Sequence, residues 1–415
     1  MADSSRPSEG DNLFLEYHMK RWSLLCGLTA LGALLGWGGM GTHLTYAADA
    51  AKGEEIPTFK YDPDWPKTLP NGWITGNIGA MFVDKEDHIW IAQRPASTTG
   101  LGERDLLENK GTCCTPAPPV LVFDMQGNVL QSWGPIHVLD PETKTQKLVG
   151  TQVSPPYPDG VWPSNEHGIY LDHKGNVWLT SSNEPSQLSK FTKDGKFLMR
   201  IGKGEAKSSN DKENLAGPAG VYVDPKSNEV FVADGYRNRR IIVFDADTGA
   251  YKRHWGAYGK PPTDPQVTRP DPDMNKRKQQ FELVHCITHS NDDLLYICDR
   301  ANSRIQVFKK DGTFVKEAII EPKEVGLGTS FSIAFSPDKD QKYLYYGDGS
   351  DKKIWILRRS DLKVLGSFGT GGRAGGQLLV IHTIATDSKG NLYVGETIDN
   401  NRVQRFLFTG MKPAN

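Results

Sequence analysis

Residues 219–244 read A-G-V-Y-V-D-P-K-S-N-E-V-F-V-A-D-G-Y-R-N-R-R-I-I-V-F. Two apolar runs with period-two alternation flank a P-K-S-N turn, and a polar loop leads into a third run ending at Phe244. Alternating β-branched and aromatic residues are strand signals; Pro, Asn, Ser and Gly between them are turn signals. The pair of leading runs recurs at 79–84 (GAMFVD) with 88–92 (HIWIA), and at 167–172 (HGIYLD) with 176–180 (NVWLT). It returns at 285–290 (HCITHS) with 294–299 (LLYICD), at 331–336 (FSIAFS) with 343–348 (YLYYGD), and at 382–387 (HTIATD) with 391–396 (NLYVGE). Third runs follow each, such as VLVF at 120–123 and RIQVF at 304–308, and most units add a fourth, such as YKRHW at 251–255. Six copies of one unit, four short strands each and no convincing helix, predict an all-β, six-bladed β-propeller. The sixth unit stops after its third strand. The segment Ile56–Asp62 is expected to supply the missing outer strand beside Arg402–Phe408, closing the ring.

Composition agrees. The chain has 415 residues with 49 Lys+Arg against 50 Asp+Glu, a formal net charge of −1. That balance argues against a nucleic-acid partner, which a markedly basic surface would announce. Hydrophobic residues make up 37% and there are 43 Gly, enough for a sizeable core. The first 50 residues read differently. Met19, Lys20 and Arg21 precede an apolar run from Leu24 to Met40, and small residues follow to Ala50. Positive, apolar, then small-x-small is the order of a secretory signal peptide. Residues 1–50 are therefore expected to be a signal peptide with an N-terminal extension, and 51–415 the propeller. The expected location is secreted or periplasmic, with membrane association only if the segment stays uncleaved.

Histidine falls in a pattern. Five residues before the end of each first strand stand Gly79, His167, Ala219, His285, Phe331 and His382. The second, fourth and sixth units carry the imidazoles. In a six-fold ring alternate blades lie ~120° apart, and the first strand of each blade is innermost. Equal offsets put three imidazoles at one height on the axis, the three-ligand arrangement of a catalytic zinc. The loops after second strands open on that same face. They begin with Arg94, with Asp234-Gly235-Tyr236, and with Asp299-Arg300. Long insertions at 94–119, 135–164, 203–217 and 257–280 are expected to wall a pocket there. Arginines beside a metal suit a carboxylate- or carbonyl-bearing small molecule or peptide. A tyrosine between a cation and a metal is placed to act as base.

The wording D-R-A-N-S-R-I-Q-V-F at 299–308 resembles the NHL-repeat family. A closer resemblance is carried by 216–224 (AGPAGVYVD), 232–241 (VADGYRNRRI), 284–288 (VHCIT) and 298–308 (CDRANSRIQVF), with 167–178 and 381–395. These stretches are similar to the lyase domain of peptidylglycine α-amidating enzymes. The resemblance implies zinc on His167, His285 and His382, Tyr236 as base, and arginine roles for Arg94 and Arg300. It implies a carbon–nitrogen lyase that cleaves a peptidyl-α-hydroxyglycine to a peptide amide and glyoxylate. That family carries an acidic residue after the third histidine, tied to a structural calcium; Thr383 stands here, so calcium is doubtful. The competing reading is a non-catalytic extracytoplasmic NHL propeller that binds protein or glycan, since propellers host both.

Cys286 and Cys298 flank the turn at 291–293 symmetrically and should lie opposite each other across a strand pair, close enough to bridge. Cys113-Cys114 leaves a vicinal disulfide, a bridge elsewhere or a soft-metal site open.

Overall fold

The computed structural model describes residues 53–98, 113–139, 146–148, 157–158, 160–264, 279–321 and 327–414. Six four-stranded antiparallel sheets follow one another along the chain. Blade one consists of Asn77–Val83, Ile89–Arg94, Val120–Phe123 and Val129–Trp133, and blade three of Pro218–Asp224, Glu229–Asp234, Arg240–Asp245 and Tyr251–Trp255. Blades two, four, five and six start at Glu166, Val284, Ser330 and Val380.

The expected closure by an N-terminal strand needs correction. Among the described residues no sheet is closed by hydrogen bonds; the six remain separate. Glu55–Asp62 pairs with Val403–Pro413 and fills the outer position of the sixth sheet alone, with Phe59 opposite Phe408 and Asp62 opposite Arg405. What joins blade to blade is face-to-face packing. Six apolar clusters lie one at each blade–blade boundary. The cluster of Ile78, Met81, Ile91 and Phe123 with Ala385, Tyr393 and Val403 joins the sixth blade to the first. Radial blades bury both faces, so the ring holds by burial, each large side chain contributing ~1.5–3 kcal/mol. The residues assigned to the signal peptide lie outside the described residues.

Two recurring carboxylates explain the repeat wording. Asp84 and Asp172 end their first strands, accept backbone N–H groups of the following turn, and take the indole N–H of Trp90 and Trp178 at 2.9 and 2.8 Å. Asp234 and Asp299 end their second strands and pair in the core with Arg240 at 3.0 Å and Arg304 at 2.7 Å. Asn238 and Asn302 each donate to the same carboxylate at 2.7 Å. The aspartate, asparagine and second arginine of the repeat are thus structural. Arg300, between them in sequence, is left to face elsewhere.

Candidate metal centre

A β-bulge aims each axial residue. In all six blades the pairing of first and second strands slips at the counted position. The slip falls between Ile78 and Ala80, Glu166 and Ile169, Pro218 and Gly220, Val284 and Cys286, Ser330 and Ser332, and Ile381 and Thr383. Two residues then oppose one, and the extra residue leaves the ladder and is re-aimed. Gly79, His167, Ala219, His285, Phe331 and His382 occupy these slips.

The three imidazoles meet. Their ring centroids stand 4.8, 4.6 and 4.9 Å apart, and one nitrogen from each lies within 4.8 Å of the others. His167 Nδ1 donates to the Ala219 carbonyl at 2.9 Å, and His285 Nδ1 to the Phe331 carbonyl at 2.7 Å. In both cases the acceptor is the bulged residue of the next blade, whose own ladder position is interrupted. Those bonds fix the tautomer and leave Nε2 unprotonated, as a ligand requires. His382 Nδ1 makes no hydrogen bond of good geometry, although the Gly79 and Ile78 carbonyls lie near enough to favour its protonated form slightly.

Burial holds all three rings well below the usual imidazole value. For His167 the neighbouring His382 and His285 add to it, for His285 the Arg300 cation, and for His382 the Arg94 and Arg300 cations. Three neutral imidazoles with nitrogens within 4.8 Å of one another fit a borderline-soft divalent metal. Two other groupings satisfy the same spacing among the described residues, Asp84/Glu86/His88 and Asp224/His289/Asp293. Asp84 is already taken by Trp90 and backbone amides, and Asp224 and Asp293 by Lys310 at 3.0 and 3.1 Å.

Tyr236 and Arg300 reach the triad. The Tyr236 hydroxyl lies 2.8 Å from His167 Nε2 and 3.3 Å from His285 Nε2, and Arg300 Nη1 donates to it at 3.3 Å. Arg300 also lies 4.5 Å over the Phe331 ring and donates from Nε to the Leu327 carbonyl at 3.0 Å. Gly235 makes Tyr236's position accessible: a Cβ there would meet the Val284 carbonyl oxygen at 2.2 Å. Arg94 is close enough for its charge to act on His167 and His382, and burial lowers its own basicity. Its Nε donates to the Glu166 carbonyl at 2.8 Å.

Glu166 escaped the sequence reading. Its buried carboxyl takes the Trp162 indole N–H at 2.7 Å, and burial pushes it up to about 7 against the pull of Arg94. Trp162 sits in an insertion, so no repeat pattern could signal the contact. Sequence also missed the bulge carbonyls of Ala219 and Phe331. Cys286 and Cys298 form a disulfide, and Cys113 and Cys114 a vicinal one. The insertions at 94–119, 135–164 and 257–280 lie in large part outside the described residues. Beside Arg94 a pocket of ≈ 270 Å³ opens between blades one and two, lined by Asn77, Ser97, Asn165, Glu166 and Asn183 among others. The larger space, ≈ 780 Å³, runs from the histidines along the channel to Asp84, Ser336 and Asp387, away from Tyr236 and both arginines.

A model of the NHL repeat matches residues 215–244. Peptidyl-glycine alpha-amidating monooxygenase B of Xenopus laevis is 30% identical over 240 residues, 56% of this chain and 25% of that protein. Peptidyl-alpha-hydroxyglycine alpha-amidating lyase 2 of Drosophila melanogaster is 31% identical over 183 residues, 42% of this chain and 40% of that protein. The matches thus span well under half of either relative's length. Virginiamycin B lyase of Staphylococcus aureus superposes with a TM-score of 0.45 at 14% identity, over 86% of this chain and 90% of that one, a likeness too loose to carry weight. The chain is a six-bladed β-propeller of NHL-repeat-like architecture that resembles lyase-family propellers, with a buried triad able to coordinate a metal.

Proposed function

We propose that the chain is a zinc-dependent carbon–nitrogen lyase of the amidating type, cleaving a peptidyl-α-hydroxyglycine to a peptide amide and glyoxylate. The observation that carries this is the Tyr236 hydroxyl at 2.8 and 3.3 Å from two of three neutral imidazoles, with Arg300 donating to the same oxygen. His167, His285 and His382 would hold the zinc ion, which would supply Lewis acidity to the substrate hydroxyl. Calcium is not part of the proposal, because Thr383 offers no carboxylate. Tyr236 takes the hydroxyl proton, and Arg300 holds the phenolic oxygen in place by donating to it. Arg94 and Arg300 hold the terminal carboxylate and set the scissile bond against Tyr236. The carbon–nitrogen bond breaks as the carbon–oxygen bond becomes a carbonyl. The nitrogen receives the proton and leaves as a primary amide, and the remaining two carbons leave as glyoxylate, so atoms and charge balance.

The names of the relatives support the reaction class, and the balanced charge fits a small-molecule or peptide substrate rather than nucleic acid. Export to an extracytoplasmic compartment belongs to the same proposal. Glyoxylate release from an α-hydroxyglycine peptide, with bound zinc counted per chain, tests it. Stoichiometric zinc without glyoxylate sinks the substrate assignment; no zinc sinks the site.

A further inference from the structure

His285 lies on the first strand of blade four, Arg300 directly follows the second, and one covalent bond joins these two strands. Cys286 follows His285, and Cys298 precedes Arg300 by two residues. The two cysteines are direct cross-strand partners with Cα atoms 4.8 Å apart, and they form a disulfide. The register slip of this pair falls between Val284 and Cys286, so the bridge fastens the first paired rung beyond His285. The same rung in the other blades carries no crosslink: Ala80–Ala92 in the first, Ile169–Leu179 in the second, Gly220–Ala233 in the third, Ser332–Gly347 in the fifth and Thr383–Gly395 in the sixth. Among the candidate site residues, blade four alone supplies both a ligand on its first strand and a cation after its second.

We propose that the Cys286–Cys298 bridge is a positioning device for the metal centre, holding the bulge that aims His285 and tying it to the segment that brings Arg300 over Tyr236. The proposal rests on the reading of the triad as a metal site. A bulged residue has no rung of its own, so its direction is set by the rungs on either side. On one side Val284 faces Asp299, itself anchored in the core by Arg304 and Asn302. On the other side the anchor is the disulfide. A bridge across a loop of this length also stabilises the fold by roughly 3 kcal/mol through the unfolded chain, so the test must separate that general effect from one on the metal site. Cys298 is fully buried in the packed boundary with blade five, while Cys286 is half-buried and lines the channel below the histidines.

The test compares the zinc-loaded wild type with the double variant Cys286→Ala/Cys298→Ala. Blade one already accommodates an alanine pair at this rung, so the backbone tolerates the change. Competition with a chromophoric chelator should show zinc affinity reduced by about 10- to 100-fold, the usual effect of losing an outer-shell support. The metal-free variant should still melt cooperatively. With zinc saturating, KM for the anionic substrate should rise more than kcat falls, because Arg300 is loosened along with His285. A purely structural bridge predicts a lower melting temperature with zinc affinity and the KM-to-kcat split unmoved, and that result overturns the proposal. Should the variant fail to fold, a phosphine reductant applied to the folded zinc-loaded Cys113→Ser/Cys114→Ser protein, which keeps the blade-four bridge and lacks the vicinal one, gives the same reading. Faster zinc release after reduction supports the proposal, and an unchanged rate overturns it. A wild type that binds no zinc removes the metal-site reading itself, whereas a variant that binds zinc as tightly as the wild type removes only the role of the bridge.

Discussion

Buried carboxylates at the ends of second strands behave in two ways. Asp234 is matched by Arg240, and both are fully buried. Arg240 also donates to the carbonyls of Ser209, Asp211 and Asn214, fastening the 203–217 insertion whose Gly217 carbonyl receives the Tyr236 backbone N–H. Arg240→Ala leaves a buried carboxylate without its cation, and we expect a loss of about 3–5 kcal/mol in denaturant unfolding. Asp348 occupies the corresponding place in blade five with Lys353 where the others have arginine. Burial pushes it up to about 6 from an ordinary 3.8. A raised folded value means the folded state keeps a proton that the unfolded chain releases first. The contribution is therefore full below about pH 4 and is lost as pH rises through about 6. Relative to Asp348→Asn, wild type should lose ~3 kcal/mol of stability between about pH 4 and pH 7, since each pH unit between the unfolded and folded values is worth ~1.4 kcal/mol. A pH-independent difference between the two proteins contradicts the assignment. Residues like these were half legible in sequence: the Asp-Asn-Arg spacing and the lysine at 353 could be read, but not the burial that raises Asp348.

At the scale of the element, the bulge is what turns an innermost strand into a ligand-bearing one. Equal offsets of histidine were visible in the sequence. The reason they point at the axis was not, since a two-against-one count belongs to a pair of strands and no single strand displays it. The disulfide was legible for the opposite reason, because symmetry about a tight turn fixes register. The outer strand Glu55–Asp62 was located from the missing fourth run, yet its role was misdescribed as closing the ring. It completes one blade, burying Ile56 and stacking Phe59 on Phe368 at 4.8 Å. Deleting residues 53–62 should expose the edge of Val403–Pro413 and uncover Tyr345, giving a protein that scatters light on warming instead of melting reversibly. A truncated protein with unchanged melting and no aggregation contradicts the packing role.

Across the whole molecule a three-fold device is laid on a six-fold ring. Even blades supply imidazoles. Odd blades supply the bulge carbonyls, two of which, Ala219 and Phe331, orient the ring of the blade before them. His382, with the Gly79 and Ile78 carbonyls near its Nδ1, follows the same plan with looser geometry. Because a metal held by the triad would bind the folded ring and not the open chain, zinc at about 100 times its dissociation constant should add ~2.7 kcal/mol to stability, read as a rise in melting temperature. That effect should vanish in His285→Ala. The most direct measurement pairs zinc content with turnover in wild type, His285→Ala and Tyr236→Phe. We expect one zinc per wild-type chain and glyoxylate released from an α-hydroxyglycine peptide, most of both lost in His285→Ala, and zinc kept but turnover reduced at least ~100-fold in Tyr236→Phe. Wild type without stoichiometric metal, or Tyr236→Phe with full turnover, would contradict the metal centre and its base respectively.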